Sequence, residues 1–182
     1  MSLAGSIRRG KTPAEDARLG QTLLDSAKDR AEHAVVVRAL GEALGETCDR
    51  LQVSDTPSLL KLGHIQHLCT PITGHLANGH TLLDLVERLH PTPAVGGRPR
   101  EAALRLIRAC EGLDRGWYAG PVGWLDAQGE GEFAVALRSA LLHGNTATLF
   151  AGCGIVADSD PEREYAESRL KLKPMLTALS GH

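Results

Sequence analysis

The 182-residue sequence lacks three features, and each absence argues against a class of protein. It has no run of about 18 apolar residues, the length of a membrane-spanning helix. Its 20 Lys and Arg against 22 Asp and Glu give a net charge of −2, whereas nucleic-acid-binding domains are usually basic. Its first residues lead into polar sequence instead of the apolar segment of a secretory leader. We therefore expect a cytoplasmic protein without a nucleic-acid or membrane partner.

Paired cysteines are also missing. The four cysteines are far apart in the chain, at Cys48, Cys69, Cys110 and Cys153. None forms a Cys-x-x-Cys motif, which favours free thiols over a disulfide framework. His64 and His67 are three residues apart, but the surrounding residues alternate like a strand, which would point the two rings to opposite faces. A zinc site at these histidines is not expected.

The pattern of polar and apolar residues predicts helices and hairpin-linked strands. Helices are expected after a capping box at 12–15, then at 29–48, 81–89, 100–110 and, after a second capping box at 159–162, at 160–179. Strands are expected at 58–62, 65–70, 116–126, 132–142 and 147–156. Segment 5–11 is interpreted as a loop and 91–99, with three prolines, as irregular. Separate helices and hairpins indicate an α+β fold with an antiparallel sheet packed with helices.

Four local features could carry chemistry, and each also has a purely structural explanation. The glycine-rich stretch 151–154 could bring backbone N–H groups to an anion, or could simply make turns. Glu167 and Lys171 share a helix face, where a solvated ion pair is the favoured explanation. Glu32 lies near a helix start, where an acid complements the helix dipole. Arg138 interrupts an apolar predicted strand, and such an arginine requires a carboxylate or phosphate partner.

The same four places lie in segments that resemble a known family, the chorismate-utilising enzymes. This family includes isochorismate, salicylate, anthranilate and aminodeoxychorismate synthases. Seven segments match it in order: 26–33 (SAKDRAEH), 66–68 (QHL), 89–97 (LHPTPAVGG), 115–124 (RGWYAGPVGW), 136–139 (ALRS), 151–156 (AGCGIV) and 164–172 (EYAESRLKL). Two of these segments most resemble isochorismate synthases: the Pro-Thr-Pro-Ala-Val-Gly-Gly loop at 91–97 and the Tyr-Ala-Gly-Pro-Val-Gly-Trp string at 118–124. Ala94 stands where salicylate synthases usually carry threonine.

The resemblance implies residues for a magnesium and substrate site. Glu32 and Glu167 match the two magnesium-binding glutamates of the family, and Mg²⁺ prefers oxygen ligands and keeps waters. Arg138 and Lys171 match residues that hold a substrate carboxylate. The other substrate-binding positions that match are Gly5, Ser6, His67, Ala94, Tyr118, Gly152 and Gly154. A magnesium ion and two cationic side chains would balance the dianion chorismate or isochorismate.

The resemblance also implies the fold and the reaction. Residues 1–182 would form the C-terminal portion of the chorismate-utilising α/β fold, with the N-terminal portion absent. The reaction would be the reversible isomerisation of chorismate to isochorismate, which needs a general base and a general acid. In the family a lysine and a glutamate in upstream segments do this, so no catalytic residue is expected in this sequence, and the chain alone is expected to be inactive.

Alternatives to an isochorismate synthase fragment are salicylate synthase or another enzyme of the family, and a non-catalytic protein that binds chorismate or Mg²⁺. An isolated half of the fold would also expose a sheet edge. Unpaired edges favour association with another chain.

Overall fold

The computed structural model describes residues 1–181, which fall into two compact units, the first Met1–Ala94 and the second beginning at Val95. Every strand pairing in both units is antiparallel. Helices accompany the sheets in each unit, which confirms the predicted α+β class. Across residues 1–181, we find no helix with the length and apolar character needed to cross a membrane.

The first unit contains a three-stranded sheet, a two-stranded sheet and three helices. In chain order its elements are β1 (Ser2–Arg8), α1 (Pro13–Asp25), α2 (Ala27–Gly45), β2 (Cys48–Val53), β3 (Ser58–Lys61), β4 (Ile65–Thr70), β5 (Ile72–Leu76) and α3 (Leu82–Leu89). Strand β4 lies between β1 and β3, while β2 pairs with β5. The buried apolar side chains Leu23, Val36 and Leu68 come from α1, α2 and β4, so the helices pack on the three-stranded sheet.

The prediction of a loop at 5–11 is wrong for residues 5–8, which belong to strand β1. Its partner is β4, about sixty residues further along the chain, and a distant partner leaves no local signal. Gly5 has φ +79°, and the strand register shifts between Ala4 and Ser6. The glycine therefore sits in a β-bulge, a conformation with positive φ that glycine adopts without strain.

Side-chain caps fix the starts of α1 and α2. The Thr12 hydroxyl accepts a hydrogen bond from the backbone N–H of Glu15 at 3.2 Å, as predicted. The Glu15 carboxylate accepts from the N–H of Lys11 at 2.8 Å, so it caps one residue earlier than a capping box would. The second helix begins at Ala27, two residues before its predicted start, with Ser26 as its cap. It ends at Gly45, three residues before its predicted end.

The second unit consists of two hairpins and two long helices. Its elements are α5 (Arg100–Cys110), β6 (Pro121–Leu125), β7 (Gly131–Val135), β8 (Ser139–His143), β9 (Thr146–Phe150) and α6 (Pro161–Ser180), and the short helix α4 (Pro93–Gly96) lies at the boundary of the units. Strand β6 pairs with β7 and β8 with β9. Helix α5 has the predicted bounds, and α6 has Asp160, not Ser159, as its N-cap.

Four sequence predictions about residues 91–156 are wrong. Segment 91–99 is not wholly irregular, because Pro93 opens α4, and proline is tolerated in a first helical turn. The predicted strand 132–142 is two strands separated at Arg138, whose φ of +51° breaks the extended backbone. The predicted strands 116–126 and 147–156 shrink to β6 and β9, leaving 151–156 irregular.

Candidate functional site

Strands β1 and β4 bring three of the predicted substrate-binding residues together in the first unit. Ser6 pairs with His67 across the sheet, and the Ser6 Oγ lies 2.8 Å from the Nδ1 of His67. The histidine is buried, whereas Ser6 is exposed. Gly5 precedes Ser6 at the bulge, so the strand irregularity and the paired side chains occupy one stretch of the sheet.

Helix α2 holds Glu32 above this sheet through its neighbour His33. The imidazole of His33 is buried, with Nδ1 3.2 Å from the Ala4 carbonyl oxygen and Nε2 2.7 Å from the Thr70 hydroxyl. Burial lowers the pKa of His33, so the neutral ring is favoured. The helix is thereby fixed to β1 and β4, and the side chain of Glu32 remains 48% exposed, with Lys28 Nζ 3.9 Å away.

Tyr118 and Gly152 meet in the second unit. The Tyr118 ring stacks on Phe150, at the end of β9, with 5.5 Å between ring centroids and an interplanar angle of 19°. A methyl group on Gly152 would lie 2.9 Å from the Tyr118 hydroxyl. The absence of a side chain at 152 therefore lets the phenol approach the backbone of the glycine-rich stretch. Burial raises the pKa of Tyr118, which keeps the phenol protonated at neutral pH.

Helix α6 adds two charged side chains to the same cluster. Lys171 Nζ donates to the carbonyl oxygen of Gly152 at 3.2 Å and forms an ion pair with Glu167 at 2.7 Å. The local explanation of Glu167 and Lys171 as an i,i+4 ion pair is thus confirmed. The lysine also reaches the glycine-rich stretch, a contact that spacing along the helix does not reveal. Tyr118, Gly152, Lys171 and Glu167 consequently form one cluster, which we call the α6 cluster.

Cys153 is a second link between the glycine-rich stretch and α6, and sequence reasoning missed it. Its thiol donates to the Glu164 carbonyl oxygen at 3.4 Å. Burial, followed by this hydrogen bond, raises the pKa of Cys153 to about 11, so the thiol is protonated and a poor nucleophile. Its position between Gly152 and Gly154 was the only signal available in the sequence.

Arg138, Gly154 and Ala94 lie outside the α6 cluster as far as hydrogen bonds show. Arg138 is half-buried between β7 and β8, and within residues 1–181 its guanidinium forms no ion pair or hydrogen bond. An added Cβ on Gly154 meets no atom within 4 Å, so its backbone borders open space. Ala94 is exposed in helix α4. The unpaired guanidinium is chemically available to an anion.

The two glutamates fit magnesium in donor chemistry. Both carboxylates are about half exposed, at 48% for Glu32 and 50% for Glu167, and each forms an ion pair with a lysine four residues away in its own helix. In the described part of the chain, no three His, Cys, Asp or Glu side chains form a group able to hold a metal. Each glutamate could supply one oxygen ligand, since Mg²⁺ commonly takes one or two carboxylates and fills its octahedron with water and substrate oxygens.

Antiparallel sheets packed with helices, together with a cluster of Lys, Glu, Tyr and glycine backbone at helix α6, define the class of this α+β protein. The family model for chorismate-binding enzymes matches residues 1–180. The chain belongs to this family of chorismate-binding enzymes.

The chain is similar to several proteins named as isochorismate synthases. The chain is 58% identical over 180 residues to the salicylate biosynthesis isochorismate synthase of Pseudomonas aeruginosa. The crystal structure of DhbC from Bacillus anthracis, provisionally described as a 2,3-dihydroxybenzoate-specific isochorismate synthase, superposes with a TM-score of 0.92 at 45% identity. The menaquinone-specific isochorismate synthase MenF of Escherichia coli superposes with a TM-score of 0.89 at 36% identity. The fold is therefore the chorismate-utilising fold, as predicted.

These matches cover nearly all of this chain but less than half of each relative. The Pseudomonas protein is matched over 99% of this chain and 38% of its own length. For the Bacillus and Escherichia structures the shares are 98% and 48%, and 97% and 40%. The chain thus corresponds to a part of each of these longer proteins.

Proposed function

We propose that this chain is part of an isochorismate synthase, an isomerase that interconverts chorismate and isochorismate. The observation that carries the proposal is the α6 cluster, in which a lysine, a glutamate, a phenol and a glycine carbonyl converge. Such a set suits a small, ring-bearing dianion. The name of the 58%-identical Pseudomonas relative supports the choice of this reaction.

The proposed reaction changes the ring carbon that carries the hydroxyl group and leaves the elemental composition of the substrate unchanged. Water adds to the ring carbon next to the one bearing the carboxylate, the ring double bonds shift, and the 4-hydroxyl departs. A general base takes a proton from the attacking water, and a general acid gives one to the leaving hydroxyl. We propose that the base and the acid come from the part of the parent protein that the matched segment of the relatives does not include.

Glu32 and Glu167 are the proposed ligands of a magnesium ion. Each offers a half-exposed carboxylate whose present partner is a lysine, and hard oxygen donors suit this ion. The ion, when bound, would supply positive charge to a carboxylate of the substrate. The protein's own contribution is to hold the two glutamates on helices α2 and α6, the first of which is fixed by the buried His33.

Lys171 and Arg138 are the proposed partners of the second substrate carboxylate. Lys171 is held by Gly152 and Glu167, while Arg138 has no anionic partner among residues 1–181. An arginine that lacks a protein carboxylate can accept one from a ligand in a two-bond geometry. Together with the magnesium ion, these two cations would neutralise chorismate.

The remaining proposed contacts surround the ring and the enolpyruvyl group. Tyr118, His67 and Ala94 would form the walls. Backbone at Gly5, Ser6, Gly152 and Gly154 would approach the ligand closely, which suits the bulge at Gly5 and the open space beside Gly154. His67 is buried and its ring is held by Ser6, with 2.8 Å between Nδ1 and the Ser6 Oγ.

The cytoplasm is the proposed compartment. All four cysteines are free thiols, as expected where reducing systems prevent disulfides. The association of this chain with another through a sheet edge stays a prediction.

Calorimetric titration of chorismate into the 182-residue protein, with and without Mg²⁺, tests the proposal. Glu167→Ala should abolish the Mg²⁺-dependent heat, because it removes one of the two proposed ligands. Glu162→Ala is the matched control, since Glu162 lies in the first turn of the same helix and has no proposed role. Binding that is unchanged in Glu167→Ala would refute the metal assignment, and a wild-type protein indifferent to chorismate would refute the function.

A further inference from the structure

A charged pair at the end of helix α5 contacts Tyr118 from outside the α6 cluster. We propose that Arg115, held by Glu111, is a positioning residue that fixes the Tyr118 ring at the ligand pocket. The consequence for ligand binding rests on the proposed function, because it takes Tyr118 to be a pocket wall. Neither Arg115 nor Glu111 is among the predicted binding residues.

The first step is that the Arg115 side chain is itself immobilised. Its Nε donates to one carboxylate oxygen of Glu111 at 2.6 Å, and a terminal nitrogen donates to the other oxygen. The pair is four residues apart, and its side chains are only 26% and 34% exposed. Two parallel bonds between a planar guanidinium and a carboxylate define its orientation more strictly than a single bond does.

The second step is that the immobilised guanidinium lies near the Tyr118 ring. The Cζ of Arg115 is 5.7 Å from the ring centroid, within the range of a cation–π interaction. The backbone joins the two residues as well, because the N–H of Tyr118 donates to the carbonyl oxygen of Arg115 at 2.8 Å. Gly116, with φ +51°, allows the tight turn between them.

The third step is that Phe150 and Gly152 lie next to other parts of the Tyr118 side chain. Phe150 stacks on it at 5.5 Å, and the hydroxyl reaches to within 2.9 Å of the place where a side chain on Gly152 would begin. Arg115 and Phe150 therefore contact the ring, and the missing side chain of Gly152 leaves room for its hydroxyl. Of these, only the Arg115 contact is electrostatic, so it can be removed while the apolar packing and the backbone remain.

The chain provides a matched pair without a ring contact. Glu101 and Arg105 on α5 have the same four-residue spacing, but their charged atoms are 3.9 Å apart and their side chains are 91% and 74% exposed. An ordinary solvated ion pair of this kind contributes little. Arg105→Met is therefore the control for Arg115→Met, since each change deletes the cation of one i,i+4 ion pair.

Ultraviolet titration of the phenol, without any ligand, tests the positioning. The protein has two tyrosines, so a Tyr165→Phe background leaves Tyr118 as the single signal. Arg115 lowers and Glu111 raises the pKa of Tyr118. Arg115→Met should therefore raise this pKa, Glu111→Gln should lower it, and Arg105→Met should leave it unchanged. Arg115→Lys, which keeps the charge, should restore most of the wild-type value.

Chorismate affinity in the presence of Mg²⁺ tests the consequence. We expect Arg115→Met to weaken binding about three- to tenfold, the range of a lost cation–π contact, and Arg105→Met to bind like the wild type. A Tyr118 titration that Arg115→Met leaves unmoved would overturn the positioning. A shifted titration with unchanged affinity would overturn its role in binding. If neither the wild type nor Arg105→Met binds chorismate while the titration still shifts, the proposed function fails and the positioning of Tyr118 stands.

Discussion

Asp16 joins three separated parts of the first unit through a single carboxylate. Its oxygens accept from Arg9 at 2.7 and 3.1 Å, from Lys61 at 3.0 Å and from the Gly10 N–H at 2.9 Å. Only 8% of its side chain is exposed. The bond from Arg9, followed by those from Gly10 and Lys61, holds the pKa of Asp16 far below its usual value. The folded state therefore favours the ionised form of the Asp16 carboxylate.

Because the folded pKa of Asp16 is depressed, its contribution to stability is present above the unfolded pKa of about 4 and is lost as pH falls below it. Asp16→Asn should lower the midpoint of urea unfolding at pH 7 and should flatten the decline of that midpoint between about pH 5 and pH 2. Asp25→Asn is the control, since the Asp25 carboxylate lies at the end of the same helix and accepts an exposed hydrogen bond from Gln21. Equal acid sensitivity of the wild type and Asp16→Asn would contradict the prediction.

The glycine at 152 has a direct steric reason. Gly152→Ala would place a methyl group 2.9 Å from the Tyr118 hydroxyl, so the phenol or the glycine-rich stretch must move. We expect chorismate affinity to fall at least about tenfold, the order of effect that small misplacements in a site produce. Gly63→Ala is the control, because its methyl group would meet nothing within 4 Å and Gly63 has no proposed role. Equal loss of affinity in both variants would contradict the steric explanation.

At the scale of elements, strand β4 is the centre of the first unit. It pairs with β1 on one side and β3 on the other, and Leu68 in its middle is fully buried. Leu68→Ala should reduce the free energy of unfolding by about 2–5 kcal/mol, the cost of a cavity in a packed core. Leu62→Ala, at a side chain 43% exposed just before this strand, should cost clearly less. Chemical denaturation measures both, and similar losses would mean that β4 is not the core strand.

Elements with local signals were predictable from the sequence, and elements that depend on distant partners were not. Helices α3 and α5 match their predicted bounds to within one residue, because apolar spacing lies within the helices themselves and Thr81 caps the start of α3. Strand β1 was missed because β4, its partner, is far along the chain. Strands β2 and β5 pair with each other through a shifted register, which gives no regular alternation to detect.

The candidate site divides in the same way. Motif resemblance identified Tyr118, Gly152, Glu167 and Lys171, and the structure shows these four as one cluster. Physical reasoning on the residues alone favoured an ion pair for Glu167 and Lys171 and left the glycine-rich stretch open between an anion-binding backbone and turns. The contacts that support the cluster, such as Cys153 to Glu164 and Arg115 to Tyr118, join residues by tertiary packing and leave no periodic pattern in the sequence.

For the molecule as a whole, ligand binding should appear as stabilisation. Mg²⁺ with chorismate at about one hundred times the dissociation constant should stabilise the 182-residue protein by about 2.7 kcal/mol, and EDTA should reverse the effect. Glu32→Ala and Glu167→Ala should each lose this stabilisation, because each removes half of the proposed protein ligands. Thermal unfolding measures it, with Glu162→Ala as the control. Loss in only one of the two variants would show that a single glutamate suffices.

The bonds that Lys171 already makes affect the enthalpy of ligand binding. Its ammonium group already has a carbonyl oxygen from Gly152 and a carboxylate from Glu167. A substrate carboxylate that reaches Lys171, and an ion that reaches Glu167, would replace existing bonds and not fill empty positions. The enthalpy of binding should then be small, because the bonds formed to the ligand replace bonds that already exist. Lys171→Met should release Glu167 for the ion while it removes a contact to the substrate. Metal affinity and substrate affinity would move in opposite directions at this one position.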